Sequence, residues 1–366
     1  MSARGNVTVN DYLKKSFSHH HLLMLVWIVV FGVALLWLLR PAPPIPTPSG
    51  WQKWSDTGAI YTLVAYKNGV LTGGVKGLWY SDGNSTVPLK SSDLPQGIVV
   101  TTLLNTADRG LWVGHSEGLS ILYKEQWQHW SRSDGLPKAP IQSIALDQKG
   151  DEKGGYIAGM DSLIRFDGII PNRKINGKQI LPSSDFPIRR VSNLLLDSKN
   201  NLWIGTNEAP KGGVLLLAND NLRLWSHKSG LPHPQVTSMI EDQKGCIWVG
   251  TGFHKHGGAA IFENTPQGWR LQSTLVEAQL AGPKVRSLAQ DREGNYWIGS
   301  ENNGLAIRDE NRVISILRKK EGLIGLEVTK TLQTKDGSIW LATLKGLMRI
   351  DTKALSKLLS SHRITK

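Results

Sequence analysis

The sequence is poor in the features that usually announce chemistry. Cys246 is its only cysteine. An intramolecular disulfide and a cysteine metal cluster are therefore excluded, and the redox compartment is left open. Cys246 sits in the strand-like run Cys246-Ile247-Trp248-Val249-Gly250 and reads as a small buried residue. There is no Gly-x-Ser-x-Gly elbow, no phosphate loop and no His-Glu-x-x-His helix, which removes the commonest hydrolase, nucleotide and zinc-protease signatures. Phenylalanine is scarce at 6 residues, and acidic residues number 30 against 43 Lys plus Arg, giving a net charge of +13. That balance favours acidic partners such as anionic glycans, lipid headgroups or an acidic protein face. Nucleic acid fits the charge, but not the compartment inferred below.

Glycine and tryptophan are what the chain has in excess: 38 Gly and 14 Trp in 366 residues. Abundant glycine implies many tight turns. Tryptophan at fixed spacing implies a repeat. A short apolar run leads into an Asp-x-x-Gly turn, then Leu/Ile-Trp-Ile/Val-Gly-Thr, then Gly-Leu and a further apolar run. The clearest copies centre on Trp203-Ile204-Gly205, Trp248-Val249-Gly250, Trp297-Ile298-Gly299 and Trp340-Leu341-Ala342, with an earlier one at Trp112-Val113-Gly114. Two degenerate copies, Ile60 to Tyr80 and Ile141 to Phe166, lack the tryptophan. Copies start near Ile60, Thr101, Ile141, Val191, Val236, Val285 and Val328, about 40 to 50 residues apart. That is the period of a propeller blade of four short strands.

The fold class expected is therefore all-β, a seven-bladed β-propeller over 51–352. In each blade strand A ends at Asp, a glycine turn follows, and strand B carries the Trp, which fills the wedge between neighbouring blades. The recurring Asp147, Asp197, Asp242 and Asp291 read as turn formers rather than as a row of acids. Trp51-Gln52-Lys53-Trp54 has the look of an outer strand, while the last copy stops at Met348-Arg349-Ile350-Asp351. Residues 51–56 are thus expected to complete the last blade and close the ring. A tail, 353–366, is expected to be helical over Ala354–Leu359.

Ahead of the repeats, Leu22 to Leu39 is an uncharged apolar run of 18 residues. At 1.5 Å per residue it covers about 27 Å, close to the ~30 Å hydrocarbon thickness. It reads as one uncleaved transmembrane signal anchor. Arg4, Lys14 and Lys15 precede it, so the expected orientation puts 1–21 in the cytoplasm and the propeller outside, at a bacterial inner membrane. The proline-rich stretch within 40–50 reads as a stiff spacer. His19, His20 and His21 are read as an interfacial feature and not as ligands.

The repeats resemble the two-component regulator propeller repeat, which occurs in extracytoplasmic sensor regions of bacterial hybrid histidine kinases. The resemblance covers roughly 51–351 and rests on the order Asp-x-x-Gly, Trp-Ile/Val-Gly-Thr, Gly-Leu. It implies a propeller that binds. The second propeller, β-sandwich and kinase of such sensors have no counterpart in this sequence, so phosphotransfer by this chain alone is not expected.

Propeller geometry puts the B–C turns and the links between blades on one face. Candidate binding residues on it are His115, Asn207, Glu208, His254, Lys255, His256, Glu301 and Asn302, with Arg189 and Arg286 near the channel mouth. Lys138, His233, Lys284 and Glu327 join them from the links. No cofactor, no metal and no catalytic residue is expected; His254 and His256 lack an identifiable third ligand. The leading functional expectation is a protein-binding subunit or scaffold of an envelope complex, with other membrane or periplasmic proteins as partners. The alternatives are a ligand-binding sensor working through a separate signalling partner, and a propeller lyase or hydrolase using His115, His254 and Glu301.

Overall fold

The computed structural model describes residues 23–24, 26–35, 46–90, 93–147, 154–168 and 174–360. The chain divides into two compact units, Met1–Pro46 and Thr47–Lys366. In the first, 23–24 and 26–35 are helical, and every described residue there is exposed, Trp27 at 67% and Phe31 at 70%. No helix among the described residues is long and apolar enough to cross a membrane. The expected span Leu22–Leu39 lies partly outside the described residues, as do 1–21 and most of the spacer.

The second unit is a ring of seven four-stranded antiparallel sheets. The inner strands A are Ile60–Tyr66, Val100–Thr106, Ser143–Leu146, Val191–Leu196, Val236–Glu241, Val285–Gln290 and Val328–Gln333. Each contacts the next, and the last contacts the first, so the ring is closed. In blades 1 to 6 strands B, C and D follow outward in sequence order. In blade 7 the outer strand is Trp51–Trp54, paired antiparallel with Gly346–Ile350 through Trp51↔Ile350 and Trp54↔Leu347. The expected closure is therefore present. A final helix, Thr352–Ser360, buries Leu355 against the core shared by blades 6 and 7.

The repeat motif now has a physical explanation. The B-strand tryptophans are buried between a blade and its successor: Trp203 packs on Phe262 and Trp269 of blade 5, and Trp248 stacks on Tyr296 of blade 6 at 4.0 Å between centroids. The aspartates do more than form turns. Asp197, Asp242 and Asp291 accept the turn backbone N–H groups and also the indole Nε1–H of Trp203, Trp248 and Trp297 at 3.1, 2.8 and 2.9 Å. One carboxylate thereby ties the A–B turn to the wedge residue. Blade 7 substitutes the Thr334 hydroxyl for it, and in blade 3, which lacks the tryptophan, Asp147 pairs with Arg165 instead.

The motif glycine after the tryptophan is required by close approach. A Cβ at Gly205 would lie 2.6 Å from Val236, one at Gly250 2.6 Å from Val285, and one at Gly299 2.5 Å from the Val328 carbonyl oxygen, each the first inner-strand residue of the following blade; Ser238 and Ser287, on the blades of Gly250 and Gly299 themselves, would stand closer still. Only glycine lets the blades come so near.

Candidate functional site

The turns and links assemble as expected. A residue at or just past the end of strand B donates its N–H to the stretch ahead of strand A in all seven blades: Val75 to Ala59, Ser116 to Val99, Met160 to Lys138, Asn207 to Arg190, Gly252 to Gln235, Glu301 to Lys284 and Leu344 to Glu327. These bonds fix the loops of one face, called here the top, around the mouth of the central channel.

The channel holds a cavity of about 810 Å³. Its walls are the second and third residues of the inner strands: Thr101 and Thr102, Ser192 and Asn193, Thr237 and Ser238, Arg286 and Ser287, Thr329 and Lys330. Both positions face inward because the A–B pairing slips by one residue between positions 1 and 3 in every blade except blade 3. Many of the hydroxyls are engaged in holding the ring. Ser192, Ser287 and Thr329 donate to Val236, Val328 and Ile60 of the next blade at 2.7, 2.7 and 2.8 Å. Thr101 and Thr237 do the same to Ile141 and Val285. At the remaining two junctions Thr62 and Ser143 accept from the Leu103 and Leu194 backbones. All seven junctions thus carry a hydroxyl link.

At the mouth, blade 5 stands out. Its B and C strands lengthen to Ile247–Phe253 and His256–Thr265, so the hairpin projects and His254-Lys255 form a two-residue turn at its tip, with His254 at φ 51°. Phe253 is 47% exposed, stacks near His233 and His254, and lies under the Lys284 ammonium at 5.9 Å. Lys284 pairs with Glu301 at 2.5 Å and Arg286 with Glu327 at 2.8 Å. Burial raises the Glu327 carboxyl above its ordinary pKa, against the pull of Arg286. Burial, helped by nearby His227, His256 and Lys284, lowers that of His233.

The sequence-derived candidates are only partly gathered. His254, Lys255 and His256 are exposed on the hairpin; Glu301 sits beside them through Lys284, and Asn302 is exposed next to it. Arg286 and Asn207 line the cavity, and Glu208 accepts the Arg189 backbone N–H at 2.9 Å. The Arg189 side chain borders a separate hollow of about 470 Å³ shared with Arg132 and Asp161. His115 is elsewhere and is structural: it is 2% exposed, its Nδ1 accepts from Glu117 N–H at 3.1 Å, and its Nε2 meets Ser120 Oγ at 2.7 Å. Burial, with His129 nearby, lowers its pKa to about 4. His115, His254 and Glu301 therefore form no acid–base constellation. Among the described residues no group of three His, Cys, Asp or Glu is placed to hold a metal ion. Sequence reasoning missed Lys330. A lysine interrupting an otherwise apolar and hydroxyl-bearing inner strand, Val328-Thr329-Lys330-Thr331-Leu332, was the available signal.

No curated protein matches the chain. The family model of the two-component regulator propeller matches residues 185–208, 230–253 and 279–302. Among solved structures, the extracellular domain of the hybrid two-component system BT3049 from B. thetaiotaomicron superposes with a TM-score of 0.68 at 15% identity, covering 85% of this chain and 42% of that one. PorZ, a surface component of the type-IX secretion system of Porphyromonas gingivalis, gives 0.59 at 13%, with 81% and 47% covered. Virginiamycin B lyase from Staphylococcus aureus gives 0.56 at 13%, with 82% and 98% covered. This chain spans less than half the length of the first two. A sensor, a secretion component and a lyase share the architecture, so likeness at this identity carries the fold and not the activity. The chain is a seven-bladed β-propeller, and three of its segments match the two-component regulator propeller model.

Proposed function

We propose that the protein is a membrane-anchored, extracytoplasmic propeller whose top face binds another protein of the envelope, as a subunit or scaffold of a complex there. The observation that carries this reading is the projecting blade-5 hairpin. It presents an exposed aromatic ring, Phe253, ringed by His233, His254 and Lys284. A large apolar side chain exposed among polar groups is the composition of a protein-binding hot spot, and the exposed Lys255 at the hairpin tip suits an acidic partner. The side chains gathered there hold each other in ion pairs and offer no acid–base pair for turnover, which supports binding over catalysis.

Anchoring is supported by the uncharged run 22–39 and by the exposure of its described apolar helical residues, an arrangement that water does not favour. The basic residues ahead of it support a cytoplasmic N-terminus. The domain reading follows: cytoplasmic segment 1–21, span 22–39, spacer 40–50, propeller 51–352, tail 353–366.

The test is purification of the full-length protein from its native membrane in mild detergent, wild type beside Phe253→Ala. A stoichiometric membrane or periplasmic partner retained by the wild type and lost at least tenfold by the variant is expected. A wild-type protein that emerges alone would favour the second reading, a sensor that binds its ligand in the channel and signals through a separate protein. That second reading is favoured by the cavity itself, whose size suits a small ligand.

A further inference from the structure

The channel carries a charge imbalance that its own structure leaves uncorrected. Four cations line the cavity, Arg190, Lys284, Arg286 and Lys330, and no described Asp or Glu does. Glu301 and Glu327 neutralise Lys284 and Arg286. The side chains of Arg190 and Lys330 make no ion pair among the described residues, although Glu208 accepts the Arg190 backbone N–H at 3.4 Å. They stand on blades 4 and 7, as far apart around the ring as seven blades allow. They also differ in depth. Arg190 immediately precedes the inner strand Val191–Leu196, whereas Lys330 is the third residue of Val328–Gln333. Three residues of strand are roughly 10 Å along the channel.

Lys330 is the exposed residue of its inner strand, and it lines the lumen of the cavity. An ammonium there without a counter-charge attracts an anion, and the channel walls focus its field into the lumen.

We propose that the channel binds a small elongated dianion, with one oxyanion group seated on Lys330 and the other held at the mouth by Arg190. Carboxylate and phosphate share the required chemistry. The spacing of the two cations calls for a ligand whose charges are separated, and a single compact anion satisfies only one of them. This site goes beyond the protein-docking surface on the blade-5 hairpin and does not use Phe253.

The experiment is isothermal titration of the full-length protein, in detergent and at fixed ionic strength, with the linear dicarboxylates from malonate to suberate. Acetate and inorganic phosphate serve as compact controls, and 1,4-butanediol bisphosphate distinguishes phosphate from carboxylate. Saturable binding is expected for the longer members of one series, tighter than acetate or phosphate by at least tenfold. Lys330→Met is expected to weaken it tenfold or more, and Arg190→Gln several-fold. Equal binding by wild type and Lys330→Met would overturn the site, as would an absence of binding by every probe. Arg190 is exposed at the mouth, so its variant keeps the test decisive if the Lys330 variant folds poorly.

Discussion

His115 shows how a single residue can look functional in sequence and be structural in the fold. It follows Trp112-Val113-Gly114 at the end of a B strand, where other blades carry Thr or Ser. Thr206, Thr251 and Thr343 at that position bond the backbone across the B–C turn, at Gly213, Gly258 and Gly346. His115 does the equivalent with Glu117 N–H and Ser120. Its buried ring is held neutral, with a pKa lowered to about 4 from 6.5. The consequence has a definite sign. At pH 7 the ring is neutral folded and unfolded, so nothing is lost. As pH falls through 6.5 the unfolded chain takes up a proton that the folded protein refuses, and stability drops until about pH 4, where the folded ring also protonates. The full loss is about 3 kcal/mol. Denaturant unfolding at pH 7, 6 and 5 checks this against His115→Asn, which keeps an acceptor for Glu117 N–H but does not titrate. The variant is expected to be less stable at pH 7 and to lose less on acidification. Parallel acid slopes for the two proteins would refute the argument.

At the scale of elements, the blades were legible because most repeat the same local code, an aspartate turn, a wedge tryptophan and a glycine, and the two copies without the tryptophan keep the spacing. The first strand was legible too, since Trp51-Gln52-Lys53-Trp54 matches the outer-strand segments of other copies. What the channel presents was not. The A–B slip turns both the second and third inner-strand residues toward the lumen, and period-two alternation cannot reveal that. Lys330 was hidden for that reason, and because the cavity lining is drawn from seven strands between Ile60 and Gln333. The aspartate–indole bonds were hidden because they join groups six residues apart across a turn. The strand that closes blade 7 allows a direct test. Trp51 is 9% exposed and packs in the core with Leu305, Leu317 and Met348. Trp51→Ala is expected to cost about 3–5 kcal/mol. Amide hydrogen exchange should then quicken at Gly346–Ile350, which pairs with the first strand. Unchanged protection there would mean that the outer strand does not hold blade 7.

For the whole molecule, the question is where the ring is weakest. The chain crosses from outer strand to next inner strand at every blade junction, including that from Trp54 to Ile60. The covalent gap therefore falls inside blade 7, between Ile350 and Trp51, and not between blades. The junction of blades 7 and 1 should consequently be no weaker than an interior one, because both have a covalent link, a wedge tryptophan and a hydroxyl bond. Thr329 donates to Ile60 O at 2.8 Å and to Ala342 O at 3.2 Å; Thr237 donates to Val285 O between blades 5 and 6. Replacing either threonine by valine removes the donor and leaves the shape nearly intact. Each is expected to cost about 1–2 kcal/mol, the range for a buried hydrogen bond and the acceptor it abandons. Calorimetry of the two variants should show the same single transition at similarly lowered temperatures. A much larger loss in Thr329→Val, or a second transition in that variant alone, would locate a seam at the 7–1 junction. The even distribution of hydroxyl links argues instead that the ring opens, when it does, at the first strand. A ligand bound between blades 4 and 7 would then be held by a frame whose opposite walls cannot separate until that strand is lost.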